Sequence, residues 1–170
     1  MASEPPIDET LPEVVQDFLR SGVKLDEIRL SARGEWTHEG LAFENRKVIA
    51  LFSKSVDRTE GGTWVLRIGQ FTYPIVVEDT GFFVEKVDWS TTPATLSLSD
   101  GTVESLQVFT LSYQSGGRLY TLIKEGSFQA RFLREAYYSI TNYIEERHGE
   151  IWLSHGGEEV CLGRDFEEDE

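Results

Sequence analysis

The stretch TWVLRIGQFTYPIVVE, residues 63–78, predicts a β-hairpin and sets the fold class of the chain. Gly69 and Gln70 have the composition of a two-residue hairpin turn. Around that turn, apolar side chains alternate along both halves and share one face: Trp64, Leu66, Ile68, Phe71, Tyr73 and Ile75. Pro74 has no backbone N–H, so we expect the second strand at a sheet edge or at a bulge.

Strand and helix signals precede this hairpin. IRLSARGEW (28–36) predicts a strand, and GEWTHEG (34–40) predicts a tight turn that ends at Gly40. ENRKVIALFSKSV (44–56) predicts a helix with Asn45 as its N-cap. An earlier short helix is predicted over TLPEVVQDFLRSG, with Thr10 and Glu13 at capping-box spacing and Gly22 at the C-terminal left-handed position. The apolar stripe of this helix consists of Leu11, Val14, Val15, Phe18 and Leu19.

The second half of the sequence predicts further strands around one long helix. The predicted strands are FFVEKVDW (82–89), ATLSLS (94–99), VESLQVFTLSY (103–113) and RLYTLIK (118–124), with a hairpin turn at Asp100-Gly101. Helical spacing of apolar residues in FQARFLREAYYSITNYIEERHG predicts a helix over 128–149 that ends near His148. EIWLSH and EEVCLG then form a hairpin around Gly156-Gly157, in which Cys161 faces Trp152.

The order strand, helix, strand, strand occurs twice. FENR (43–46) aligns with FQAR (128–131), and Trp64 aligns with Trp152. We therefore predict an α+β fold with mostly antiparallel sheets, a duplicated β-α-β-β motif and a short N-terminal helix. The predicted segments are a flexible N-terminus (1–9), the N-terminal helix (10–27), a first α+β repeat (28–90), a central β meander (91–117), a second α+β repeat (118–163) and an acidic tail (164–170).

Charge and composition exclude several classes of partner. The 170 residues carry a formal net charge of −14, and the basic residues form no patch, so we expect no nucleic acid and no membrane surface as partner. No apolar run is long enough to span a bilayer. The single cysteine, Cys161, and the acidic N-terminus without a signal peptide favour a cytoplasmic protein.

No segment of the sequence matches a known catalytic or metal-binding motif. The spacing of His148, His155 and Cys161 is none of the usual zinc spacings, and Cys161 and His155 point to opposite faces of the predicted hairpin. There is no GxSxG elbow and no phosphate-binding P-loop. We therefore predict no catalytic residue, no metal and no cofactor.

Four residues are candidates for ligand binding: Trp36, His38, Arg46 and Arg131. Arg46 lies in the first turn of a predicted helix, where the dipole disfavours cations, and Arg131 holds the matching place in the second repeat. One interpretation is an ion pair with a strand carboxylate such as Glu78 or Asp79. The other is an anion site, walled by Trp36 and His38 and built from arginine and helix N–H groups.

An ordered set of segments resembles the bacterial family called domain of unknown function 1285. The segments are GEWTHEG, NRKVIALF, IVVEDTGFF, FQARFLREAYY and GEIWLSHGG. The resemblance implies an α+β fold with repeated structural motifs and suggests a role in signalling, without catalytic residues. It extends to Gly34, Trp36, Gly40, Arg46, Glu78, Asp79, Arg131, Tyr137, Tyr138 and Trp152, whereas the segment SLQVFTLSYQSGGRL departs from the family's pattern.

These observations favour a binding or regulatory module that recognises a small ligand or a protein partner. A first alternative is an enzyme whose site is assembled from the distant residues Arg46, Glu78, Asp79 and His38. A second is a protein-interaction subunit that uses a sheet edge or the acidic surface. The sequence is also compatible with a homodimer.

Overall fold

The structure, a computed structural model, describes residues 5–114 and 116–164. The chain divides into two compact units, Met1–Gly81 and Phe82–Glu170, which we describe separately. Residues 1–4 of the predicted flexible N-terminus and residues 165–170 of the predicted acidic tail lie outside the described residues.

The first unit contains two helices and seven strands within the residues described. The helices are α1 (Glu13–Arg20) and α2 (Arg46–Ser55). The strands are β1 (Ile28–Leu30), β2 (Trp36–His38), β3 (Leu41–Ala42), β4 (Val56–Arg58), β5 (Trp64–Ile68), β6 (Phe71–Pro74) and β7 (Val76–Val77).

These strands form two small sheets. One has the order β3-β2-β1-β7, in which β1 and β7 are parallel and the other pairs are antiparallel. The other is the antiparallel meander β4-β5-β6, with β6 at its edge as Pro74 predicts. A type I′ turn at Glu39-Gly40 joins β2 to β3, and both of its residues have positive φ, 47° and 81°.

The second unit contains one α-helix, α3 (Arg134–Ser139), and short 3₁₀ segments at Val108–Thr110 and Ile140–Tyr143 among its described residues. Its strands are β8 (Phe82–Asp88), β9 (Thr95–Leu98), β10 (Val103–Ser105), β11 (Ser112–Gln114), β12 (Arg118–Ile123), β13 (Phe128–Phe132), β14 (Ile144–Arg147), β15 (Glu150–His155) and β16 (Glu158–Arg164).

A six-stranded sheet and a three-stranded sheet make up this second unit. The larger has the order β10-β9-β8-β13-β12-β11, with β8 and β13 parallel. The smaller is the antiparallel meander β14-β15-β16. Consecutive strand residues point to opposite faces, so burial of both Phe83 and Val84 means that both faces of the larger sheet are covered here. The buried residues of this unit include Phe83, Val84, Leu96, Leu98, Leu119, Tyr120, Ile123 and Ala130.

The α+β class and the mostly antiparallel pairing are confirmed. Ile68 faces Phe71 across the two-residue turn at Gly69-Gln70, as predicted. Trp152 likewise faces Cys161 in the final hairpin. Asn45 caps α2, because its side chain accepts hydrogen bonds from the N–H groups of Lys47 and Val48.

The long helix predicted over 128–149 is wrong. Residues 128–132 form a strand, and only Arg134–Ser139 is α-helical before a 3₁₀ turn and β14. Phe128, Ala130 and Phe132 alternate with polar residues, and this two-residue period prevails because β13 pairs with both β12 and β8. His148 accordingly does not end a helix but lies in the β14–β15 turn with φ 53°.

Two local predictions in the first unit are also wrong. IRLSARGEW is not one strand, because the chain turns at 31–34 and returns as β2, antiparallel to β1. The capping box does not form either: Pro12 is the N-cap of α1 and makes no side-chain hydrogen bond. The duplicated β-α-β-β motif is not confirmed, because FQAR is a strand whereas FENR leads into a helix.

Candidate functional site

An open apolar groove lies between α1 and β6 in the first unit. Its volume is about 290 Å³. It is lined by side chains from α1, from the connection to β1 and from β6: Val14, Val15, Phe18, Leu25, Thr72, Tyr73 and Pro74. A groove of this composition offers apolar contact area with almost no competing polar group.

The apolar stripe of α1 is divided between the core and the groove. Leu11 and Val15 are buried against Val65. Val14, in contrast, is 75% exposed and Phe18 is 44% exposed, so these two side chains form an unpaired apolar ridge along the groove. Burying each of them would contribute about 1.5–3 kcal/mol, which makes the ridge a candidate contact surface.

A hydrogen-bonded carboxylate fixes the segment that leads into α1. Asp8 accepts hydrogen bonds from the Thr59 and Thr63 hydroxyl groups at 2.5 and 2.6 Å. It also accepts one from the N–H of Thr10 at 2.8 Å. The hydroxyl groups of Thr10, Thr59 and Thr63 hold the pKa of Asp8 well below its ordinary range, so the carboxylate is charged and holds this segment on the β4–β5 turn.

One end of the groove is acidic. The Tyr73 hydroxyl donates a hydrogen bond of 2.6 Å to the carbonyl oxygen of Asp26. Burial raises the pKa of Tyr73, and the negative charges of Asp26 and Glu39 raise it further. Two carboxylates therefore act on the groove where Tyr73 lines it.

The candidate residues Trp36 and His38 both lie on β2, with different surroundings. Trp36 is only 3% exposed, and its Nε1 donates to Ser53 Oγ at 3.1 Å beneath α2. The His38 side chain is 47% exposed, and its Nε2 lies 3.1 Å from Asp26 Oδ2. His38 thus joins the polar network at the acidic end of the groove.

Arg46 begins α2 at the surface, and within the described residues its side chain makes no hydrogen bond or ion pair. Arg131 lies in the second unit, on β13 opposite Tyr120. The structure thus places the two arginines in separate units. Ligand binding by Trp36, His38, Arg46 and Arg131 stays a prediction.

Glu78 makes structural contacts at the end of β7. One carboxylate oxygen accepts the N–H of Ala32 at 2.8 Å, and the other lies 3.5 Å from Arg29 Nη1. Asp79 follows Glu78 in the connection that ends the first unit. His38 pairs in register with Ile28, whereas the N–H of Glu78 bonds to the carbonyl of Leu30, so they lie toward opposite ends of β1.

Sequence reasoning identified the apolar stripe of α1 but missed the groove. Two signals in the sequence point toward the groove. The apolar stripe of α1 is too wide to be buried completely in the core, and Pro74 predicts that the neighbouring strand lies at a sheet edge. Which residues stay exposed depends on Val65 beneath α1, a tertiary contact that helical periodicity does not reveal.

Over the part of the chain that the structure describes, no three histidine, cysteine or acidic side chains are grouped so that they could hold a metal ion. Among the same residues, no helix is both long and apolar enough to cross a membrane.

Two crystal structures of DUF1285 family proteins match this chain. The protein from Silicibacter pomeroyi DSS-3 is 17% identical over 82% of this chain and 80% of that chain, with a TM-score of 0.63. The protein from Shewanella baltica OS155 is 18% identical over 69% of this chain and 92% of that chain, with a TM-score of 0.55. No family model and no curated protein matches the sequence.

The chain therefore has the α+β fold of the DUF1285 family proteins. This confirms the α+β class that the sequence resemblance implies, whereas the repeated structural motifs that it also implies are not confirmed.

Proposed function

We propose that this protein is a DUF1285 family member that acts as a non-catalytic binding module and docks a basic amphipathic helix of a partner protein in the α1–β6 groove. The exposed ridge of Val14 and Phe18 above an apolar groove carries this proposal. Membership in the family is supported by the shared fold together with the ordered sequence segments that resemble it.

The apolar part of the groove suits a helix of the partner. Helix-in-groove recognition places side chains spaced three and four residues apart into an apolar groove. Val14 and Phe18 are themselves four residues apart on α1, so the ridge presents the matching spacing for helix-against-helix packing. Phe71 is 80% exposed on the adjacent edge strand and extends the apolar surface beyond the groove.

The negative charge near the groove favours a positively charged partner. Asp26 and Glu39 act on the groove at Tyr73, and the whole chain carries −14. Lysine or arginine on the flanks of an apolar helix face would therefore be attracted, whereas a second copy of this acidic chain would be repelled. A basic amphipathic helix matches both features, because its apolar face fits the ridge and its basic flanks fit the acidic end of the groove.

The proposal is tested with the acetylated and amidated peptide LKKLLKLLKKLLKL, titrated into the protein by calorimetry. We expect saturable binding by the wild type. Val14→Glu should weaken the affinity at least tenfold, because it places a charge in the centre of the contact. Glutamate is a good helix former, so α1 should persist in this variant, as circular dichroism would check.

Leu51→Glu is the matched control. Leu51 is 46% exposed, lies on a helix as Val14 does, and is not one of the residues that line the groove. The control substitution adds the same charge to the same unit as Val14→Glu. The affinity of this variant for the peptide should stay within about twofold of the wild-type affinity. Equal losses in both variants, or none in either, would contradict docking in this groove.

The signalling role suggested by the resemblance fits a binding module and stays a prediction. The enzyme alternative has less support, because His38 pairs with Asp26 and Glu78 pairs with Arg29, rather than with each other or with Arg46.

A further inference from the structure

A second cavity, of about 530 Å³, lies in the second unit, whereas the α1–β6 groove belongs to the first. Its lining includes Glu104 and Ser105 of β10 together with Leu122 and Ile123 at the end of β12. Consecutive residues of a strand point to opposite faces of a sheet. A cavity lined by consecutive residues of two strands therefore lies along the strand edges rather than on a sheet face.

The outward edge of β10 has unused backbone groups. β10 is the terminal strand of its sheet and pairs only with β9. The N–H of Leu106 bonds to Ala94 on the β9 side, so the backbone groups of Val103 and Ser105, which alternate with it, point away from β9. Within the described residues, no group hydrogen-bonds to the N–H of Val103 or Ser105.

The facing edge of β12 is already capped. Thr110 Oγ1 accepts the N–H of Leu122 at 3.1 Å. The Glu104 carboxylate accepts the N–H of Lys124 at 3.0 and 3.1 Å. These side-chain bonds satisfy N–H groups of the β12 edge where a neighbouring strand would otherwise pair, so the outward edge of β10 is the one left to pair.

The charge of the cavity is negative. Glu104 and Glu125 belong to its lining, and none of the lining residues that the structure describes is lysine or arginine. Lys124 does not neutralise them, because its ammonium pairs with Asp100 Oδ2 at 2.7 Å and lies 5.3 Å from the centre of the Phe82 ring. An occupant with a positive charge is therefore favoured.

From these edges we propose that the gap between β10 and β12 binds an extended segment of another protein that carries lysine or arginine. The segment adds as a strand to β10 through the backbone groups of Val103 and Ser105, and a basic side chain pairs with Glu125. Strand addition of this kind draws its affinity from main-chain hydrogen bonds and its specificity from alternate side chains.

The test uses the acetylated and amidated peptide KVKVKV, titrated by calorimetry, with Ser105→Pro and Ser105→Ala as matched variants. Proline removes the outward N–H and is tolerated on an edge strand, whereas alanine removes only the hydroxyl. We expect a dissociation constant below about 1 mM for the wild type and Ser105→Ala, and a loss of at least tenfold for Ser105→Pro. Glu125→Gln should weaken binding severalfold and reduce its dependence on salt.

Backbone pairing is tested separately with KVKVKV methylated on every backbone amide nitrogen, which removes the N–H groups from both edges of the peptide and should not bind. The Val14→Glu variant should bind KVKVKV as the wild type does, so failure of the α1–β6 groove and failure of this site give different results. Absence of binding by the wild type, equal affinity of Ser105→Pro and Ser105→Ala, or full binding of the methylated peptide would overturn the proposal.

Discussion

At the scale of single residues, two glycines of the first unit lie so close to other side chains that a larger residue does not fit in their place. Asp8 lies so near the β4–β5 turn that a Cβ at Gly61 would overlap with its Oδ1. A Cβ at Gly81 would fall 2.5 Å from Cζ3 of Trp64 and 2.7 Å from Cγ1 of Val56. Neither glycine has positive φ, so what excludes alanine at these positions is space rather than backbone conformation.

Gly81→Ala should destabilise the protein. The added methyl group has to displace Trp64 or Val56, and overpacking of this kind costs about 1–3 kcal/mol of the free energy of unfolding. Urea denaturation followed by tryptophan fluorescence would measure the change. An unchanged midpoint would mean that the Trp64 ring is not packed against Gly81.

Asp8 should make stability depend on pH in the acid range. Its folded-state pKa lies below the ordinary 3.8, so its stabilising contribution is fully present above that value and is lost as the pH falls below it. The stability difference between the wild type and Asp8→Asn should therefore be constant above about pH 5 and shrink below about pH 4. The same difference at pH 3 and pH 7, measured by denaturation, would contradict this role.

At the scale of elements, α2 combines a local cap with tertiary packing. Asn45 Oδ1 accepts the N–H of Lys47 at 2.9 Å and that of Val48 at 3.4 Å. On the inner face, the Phe52 ring meets Trp36 edge-on with 5.5 Å between ring centres. The cap defines where the helix begins, and the aromatic contact fixes the face that it buries.

Asn45→Ala should lower the free energy of unfolding by about 0.5–2 kcal/mol, because two N–H groups of the first turn lose their acceptor. Asn45→Asp keeps the acceptor and places a negative charge at the positive end of the helix, so it should be at least as stable as the wild type. Thermal denaturation of both variants would check this. Equal destabilisation by alanine and aspartate would show that the cap does not matter.

Signals confined to a few neighbouring residues predicted their elements well. The Asn45 cap, the Gly69-Gln70 turn and the Gly156-Gly157 turn all formed as expected, because each depends on local backbone chemistry. The segment 128–149 did not, because helical and alternating apolar patterns overlap there and strand pairing decides between them. Both candidate docking sites depend on tertiary placement, and neither has a local signature.

At the scale of the whole molecule, the net charge of −14 acts together with the exposed apolar surface. Val14 and Phe18 lie in one unit, and Phe109, which is 70% exposed, lies in the other. Like charges repel two copies of such a chain, and the same charge attracts a positively charged partner. Apolar contact then provides the affinity that charge alone, screened by salt, does not.

Binding of the peptide LKKLLKLLKKLLKL should therefore weaken, but persist, as salt increases. Raising sodium chloride from about 50 mM to about 500 mM screens the attraction of Asp26 and Glu39 and should weaken the affinity severalfold. The ridge of Val14 and Phe18 keeps its contribution at high salt. Calorimetry at both salt concentrations would measure this, and complete loss of binding at high salt would show that charge alone holds the peptide.

The most direct test of helix docking in the α1–β6 groove is an NMR titration of the nitrogen-15-labelled protein with the same peptide. We expect the largest amide shifts at Val14, Phe18 and Tyr73, with the second unit little changed. Shifts spread over the acidic surface without these residues, or no shifts at saturating peptide, would contradict the account.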